Sequence, residues 1–144
     1  MAKYRFRLET VLRARRVQET QRRSALAAAN RALVESLRVC DMALASYTEH
    51  SRHEAVDVRS LCAERFDIEV AALRMLEAER DANRKASEAA LAHVEWSQAA
   101  RGVAVLERLD ARRREEHAIE ENRKDVRMVD DLVTARYARE IEKG

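Results

Sequence analysis

Proline is absent from the 144 residues, and glycine occurs only twice, once as the C-terminal residue. A chain so poor in both can make few sharp backbone reversals, which excludes most sheet architectures. Aromatic residues make up only 4%, too few to fill a large compact core. No stretch approaches 18 consecutive apolar residues, so no membrane span is expected. The N-terminus also lacks the apolar run of a signal peptide. Two cysteines, in no metal-ligand spacing, cannot build a disulfide framework. Cys40 and Cys62 fall on either side of the expected turn and are read as reduced packing thiols of a cytosolic protein. The formal net charge of +2 gives no general attraction to phosphate, so nucleic acid is not an expected partner.

What the chain has in quantity is charge and alanine. Charged residues reach 38%, and 26 of the apolar residues are alanine, a composition typical of long helices and coiled coils. The charge is uneven. Residues 1 to 24 hold eight cations against two anions, for +6, whereas residues 115 to 131 hold three cations against seven anions, for −4. A basic start and an acidic later stretch either attract one another or face different parts of a partner.

Apolar residues recur at helical spacing from Tyr4 to Tyr47. Leu26, Leu33, Cys40 and Tyr47 form one series of period seven; Leu37 and Leu44 form the second, with Asn30 as its polar member. The first helix is expected over about residues 4–50. Residues 48–58 gather His50, Ser51, His53 and Asp57 and are the expected turn, although the glycine common in such turns is absent. Ser51 and Glu54 have capping-box spacing, which would start a second helix near Arg52 that runs to about residue 142. In that helix Leu61, Ile68 and Met75 share a heptad position, and the seam is taken to run through Ile68, Ala72 and Met75. The fold class is therefore all-α: a single helical-hairpin domain, a long antiparallel two-helix coiled coil. The alternative is one continuous helix of about 140 residues paired with a second chain.

Arm lengths suggest an overhang. At about 1.5 Å per residue the first arm reaches roughly 70 Å and the second roughly 135 Å, so pairing should run out near residues 100 to 109 and leave the second helix overhanging. There the apolar stripe fades into Arg112, Arg113, Arg114, Glu115 and Glu116, and a helix that loses its stripe faces solvent or another molecule. Pairs such as Asp110 with Arg114, Arg112 with Glu116 and Glu120 with Lys124 are expected to support it, each by roughly 0.2 to 0.5 kcal/mol. The hairpin reading implies a monomer in isolation.

Few residues suggest chemistry. His50, His53 and Glu54 lack a third and fourth metal ligand and read as a solvated turn. Glu116-His117 lacks the second histidine of a zinc peptidase. No glycine-rich phosphate loop or nucleophile elbow is present, so neither enzymatic activity nor a cofactor is expected. Arg13, Arg15, Arg16, Arg22 and Arg23 with Tyr4 and Phe6 could meet phosphates as a helical arm does on RNA, but the same arginines fit the solvated face of a coil. Phe66, Val70 and Leu73 form a stripe beside the seam, readable as coil packing or as a docking surface.

Two stretches carry a family resemblance. The opening Tyr4-Arg5-Phe6-Arg7-Leu8-Glu9-Thr10-Val11-Leu12-Arg13-Ala14-Arg15 resembles the start of the FliJ family, the flagellar export-apparatus stalk proteins related to coiled-coil subunits of type III secretion systems. Trp96, Leu106-Glu107-Arg108-Leu109, Glu121-Asn122-Arg123-Lys124-Asp125 and Met128-Val129-Asp130-Asp131-Leu132 are similar to its C-terminal part. The resemblance covers about half of the chain, at both ends and in order.

It implies a non-enzymatic stalk that inserts into and stimulates the flagellar export ATPase ring. It also implies contacts with the cytoplasmic domain of the export gate membrane protein and with export chaperones, peripheral to the cytoplasmic face of the inner membrane. On the matching positions, Glu121, Asn122, Arg123, Asp125, Asp130 and Asp131 belong to the ATPase-facing tip, with Val129 and Leu132 as apolar anchors. Phe66, Val70 and Leu73 resemble the gate-facing stripe. The alternatives are a generic coiled-coil scaffold and a helical-arm nucleic-acid binder using the basic N-terminus.

Overall fold

The computed structural model describes residues 3–52 and 56–141, with the side chains of residues 140 and 141 excepted. It is all-α: helix α1 spans Glu9–His50 and helix α2 spans Val58–Ile141. Helix α1 ends at His50 and α2 begins only at Val58, which excludes a single continuous helix. Among the described residues, no helix is long and apolar enough to cross a membrane. Contacts along the chain group into two compact units, Val17–Ala100 and Met1–Arg16 with Arg101–Gly144.

The unit Val17–Ala100 is a helical hairpin. Contacts between α1 and α2 pair ascending positions on one with descending positions on the other: Glu19 with Trp96, Arg22 with Glu95, Ser36 with Asp81. The helices are therefore antiparallel. Its buried apolar residues are Ala71, Ala78, Ala82 and Ala89, and Ser36 is the buried polar residue. Short side chains along the seam let the two backbones approach closely. The Ser36 hydroxyl donates to Asp81 Oδ2 at 3.0 Å, which satisfies this buried polar group. That bond, more than the neighbouring Arg84, holds the Asp81 carboxyl below its ordinary pKa.

The seam differs from the expected one by one residue on each helix. Leu26, Leu33, Cys40 and Tyr47 do turn inward and are half-buried. Their companions, however, are Ala29, Ser36 and Ala43; Leu37 and Leu44 are each 48% exposed, and Asn30 is exposed. On α2 the seam runs through Ala71, at 5% exposure, between half-buried Ile68 and Met75, rather than through Ala72. Bulk in one heptad series and small residues in the other suits closely approaching helices, and a leucine in the second series would hold them apart.

The turn closes without glycine. Thr48 Oγ1 donates to the Ala45 carbonyl at 2.8 Å, His50 Nδ1 to Ser46 at 2.7 Å and Ser51 Oγ to Thr48 at 2.9 Å. The terminal carbonyls are met by the Ser51 N–H on Tyr47 and the Arg52 N–H on Glu49, each at 3.1 Å, and by the Ser51 hydroxyl on Thr48, without a glycine cap. Helix α2 begins at Val58, six residues later than expected, and its N-cap is Asp57 rather than Ser51. Asp57 Oδ1 accepts the Ser60 N–H at 2.7 Å while Ser60 Oγ accepts the Asp57 N–H at 3.2 Å. This is the reciprocal logic of a capping box with serine in the usual glutamate place. The Ser60 backbone bond also lowers the Asp57 pKa. His53 and Glu54 lie outside the described residues, as does Glu142 at the expected end of the helix.

In the other unit, α1 starts at Glu9 rather than residue 4. Lys3 to Leu8 are non-helical, with Tyr4 and Phe6 half-buried and Lys3, Arg5 and Arg7 exposed. This period-two alternation is that of an extended segment laid on a surface. Tyr4 OH donates to Asp110 Oδ1 at 2.8 Å, its ring meets His117 edge-on at 5.6 Å, and Arg114 stands over it at 5.7 Å. Leu12 is the buried side chain of α1 here, and Arg16 pairs with Glu107 at 2.8 Å. Gly102 needs no glycine, since a Cβ there would meet nothing within 4 Å. Gly102→Ala is therefore expected to add about 1 kcal/mol of stability, read as a higher urea midpoint with an unchanged m-value.

Candidate functional site

Within the unit containing Arg101–Gly144, cover on α2 ends later than the sequence suggests. The extended N-terminal segment flanks Leu109, Arg113, Glu116, His117 and Glu120, which corrects the expected end of pairing near residues 100 to 109. The extra reach comes from chain geometry: the four non-helical residues before the turn at Arg7 and Leu8 can cover about 13 Å when extended, twice what they would as helix. Past that point Glu121 is half-buried, and every residue from 122 to 139 is exposed.

Intrahelical pairs run along this part of α2 much as composition suggests, two of them beside the N-terminal segment and one at the start of the uncovered stretch. Arg114 reaches Asp110 at 2.9 Å and Arg112 reaches Glu116 at 3.0 Å. Lys124 pairs with Glu121 at 2.9 Å, not with Glu120 as expected. The hydrogen bond from Lys124 holds the Glu121 carboxyl below its ordinary pKa and raises that of the ammonium. Both spacings, three and four, bring side chains together on a helix, so periodicity did not choose between the two glutamates.

At about 100° per residue, the expected tip residues do not all share a face. Glu121, Asn122, Asp125, Val129 and Leu132 fall within an arc of about 100°, whereas Arg123, Asp130 and Asp131 point at least about 100° away from Val129. On the shared face, apolar Val129 and Leu132 stand on either side of Asp125. Val129 is 54% and Leu132 64% exposed, and Ile119, Val126 and Val133 are exposed beside them. The last three were not among the residues expected to form the site. Their signal was the three-and-four spacing of Ile119, Asn122, Val126, Val129 and Val133, which the surrounding charge masks. Exposed apolar residues at that period, with no helix of this unit against them, form a helix face suited to docking.

In the hairpin unit, Phe66 and Leu73 are 65% and 62% exposed, on one side of α2, with half-buried Val70 turned toward the seam. Several arginines of the N-terminal third are paired, while Lys3, Arg5 and Arg7 are exposed. Arg13 pairs with Glu9, Arg22 with Glu95 at 2.6 Å and Arg23 with Glu19, which also accepts Trp96 Nε1–H at 2.8 Å. Among the described residues, no group of three or more His, Cys, Asp or Glu could hold a metal ion. Cys40 is half-buried, Cys62 is exposed, and both are free thiols.

Comparison of the chain with protein-family models, with curated proteins and with solved structures returned no match.

Proposed function

We propose that this chain is a non-enzymatic stalk and adaptor of flagellar type III export, which engages the export ATPase ring through the free C-terminal part of α2. The observation carrying this reading is the uncovered helix face around Val129 and Leu132, flanked by Glu121, Asn122 and Asp125, in a stretch where every residue from 122 to 139 is exposed. The resemblance of Glu121-Asn122-Arg123-Lys124-Asp125 and Met128-Val129-Asp130-Asp131-Leu132 to the FliJ family assigns the same residues to an ATPase-facing tip. A single asymmetric helix touching identical subunits must touch them unequally, so it can favour one nucleotide state at one site over its neighbours. The chain then supplies no catalytic group; the ATPase does. Phe66, Val70 and Leu73 are assigned to the cytoplasmic domain of the export gate, at the cytoplasmic face of the inner membrane, and export chaperones are the remaining partners.

The test is direct. The purified chain should raise the rate of ATP hydrolysis by its cognate export ATPase, and a version ending at Ala118 should not, while keeping most of its helical circular dichroism. No stimulation by the intact chain refutes the proposal.

A further inference from the structure

Helix α1 carries a second heptad series that its own hairpin does not use. Ala27, Asn30, Val34, Leu37, Asp41 and Leu44 recur at alternating spacings of three and four, the pattern of a coiled-coil seam. The series lies one residue beyond the inward one and is therefore turned about 100° around the helix. All six residues are exposed, Val34 by 66% and Leu37 and Leu44 by 48%, whereas Leu33, Ser36, Cys40 and Ala43 of the inward series are buried or half-buried. Scattered exposed leucines are ordinary on a protein surface; a sustained seam beside one already filled is not.

The polar members of the series indicate what covers it. A second copy of the same helix, laid antiparallel about a two-fold axis between Glu35 and Ser36, stacks Val34 on Leu37 of the other copy. It also stacks Ala27 on Leu44 and Asn30 on Asp41. Apolar meets apolar and polar meets polar in every layer. Along the adjoining edge, Arg31, Glu35 and Arg38 are exposed; Arg38 reaches Glu35 of its own helix at 2.8 Å, and the same operation sets Arg31 near Asp41 of the other copy and brings the two Glu35–Arg38 pairs side by side with opposite charges adjacent. An in-register parallel copy would instead oppose each charge to itself, which disfavours that arrangement. We propose that this seam of α1 pairs antiparallel with the same seam of a second copy, forming an isologous dimer through the hairpin unit. One helix pair over six seam positions buries less than the roughly 1,000 Å² of a stable interface, so the dimer is weak and reversible. The inference uses no residue of the C-terminal tip and stands apart from the stalk reading.

Sedimentation equilibrium of the full chain tests it. From about 5 to about 500 µM the mass should climb from 16.6 kDa toward twice that value, the rise expected of a weak interface of this size. Val34→Lys with Leu37→Lys should hold the chain at the monomer mass with unchanged helicity, because both side chains are exposed. Glu35→Arg alone should weaken association about three- to tenfold, and adding Arg38→Glu should restore it. Spin labels on Ala27→Cys, with Cys40 and Cys62 replaced by alanine, should lie about 25 Å or more apart along the helix axis in the antiparallel pair. A monomer at every concentration, a dimer indifferent to the lysines, or labels close together as in a parallel pair would each overturn the proposal. Seam occupancy only by an export chaperone leaves the chain monomeric and overturns it equally.

Discussion

Val129→Asp combined with Leu132→Asp is expected to weaken stimulation of the export ATPase at least 100-fold in the concentration required, with little change in helicity or melting temperature. Burying a valine or a leucine at an interface is worth about 1.5 to 3 kcal/mol each, and ten-fold in affinity corresponds to about 1.4 kcal/mol. Scaled to the 54% and 64% of these side chains still exposed, the two anchors together contribute about one to two and a half decades, and the desolvation cost of two introduced carboxylates on docking carries the loss past two. The free protein has no such stake in these residues, because they are 54% and 64% exposed. Surface substitutions of that kind usually change stability by no more than about 0.5 kcal/mol.

Asp131→Ala is the internal control. Asp131 lies on the far side of the helix from Val129 by about 160°, and its loss should shift the concentration dependence less than about threefold, the scale of one exposed charge. A titration of hydrolysis rate against stalk concentration reads all three proteins. Unaltered stimulation by the double variant would show that the apolar face is not the docking face.

Ala82→Leu is expected to destabilise the chain by about 1 to 3 kcal/mol, the cost of forcing extra methylenes into a filled interface. In a leucine-seamed coiled coil the same change would stabilise. Here Ala82 is 6% exposed in a seam that also includes Ala71, Ala78 and Ala89, so a larger side chain must push the backbones apart or leave its rotamer. Leu37→Ala, at 48% exposure, should cost much less in the same urea titration, on the order of 0.5 kcal/mol. A neutral or stabilising Ala82→Leu would show that the helices do not approach closely.

The inward series through Leu26, Leu33, Cys40 and Tyr47 was legible in the sequence because bulky residues repeat every seven positions. Its companion was not. Two candidate series, Ala29-Ser36-Ala43 and Asn30-Leu37-Leu44, differ by one residue, and hydropathy favours the leucines. Only the opposing helix decides, by presenting Ala71 and Ala78 and an Asp81 carboxylate that accepts the Ser36 hydroxyl. The site divides in the same way. The loss of apolar stripe after Leu109 marked the free stretch of α2, but its boundary moved because Tyr4 reaches Asp110 and His117 from a segment that alternates with period two. Ile119, Val126 and Val133 stand out less in the sequence, because flanking charge breaks up their three-and-four spacing.

By itself the sequence determined that this chain is helical, and it favoured a turn within residues 48–58 with the later helix the longer; one continuous helix was excluded only by the structure. The helical character and the favoured turn follow from periodicity, from the lack of proline and from polar clustering, all of which act over a few residues. Which of two overlapping stripes each helix buries, and how far the N-terminal segment covers α2, were decided only by tertiary structure. Both depend on the size and polarity of residues brought together from distant parts of the chain, a quantity that no local pattern contains.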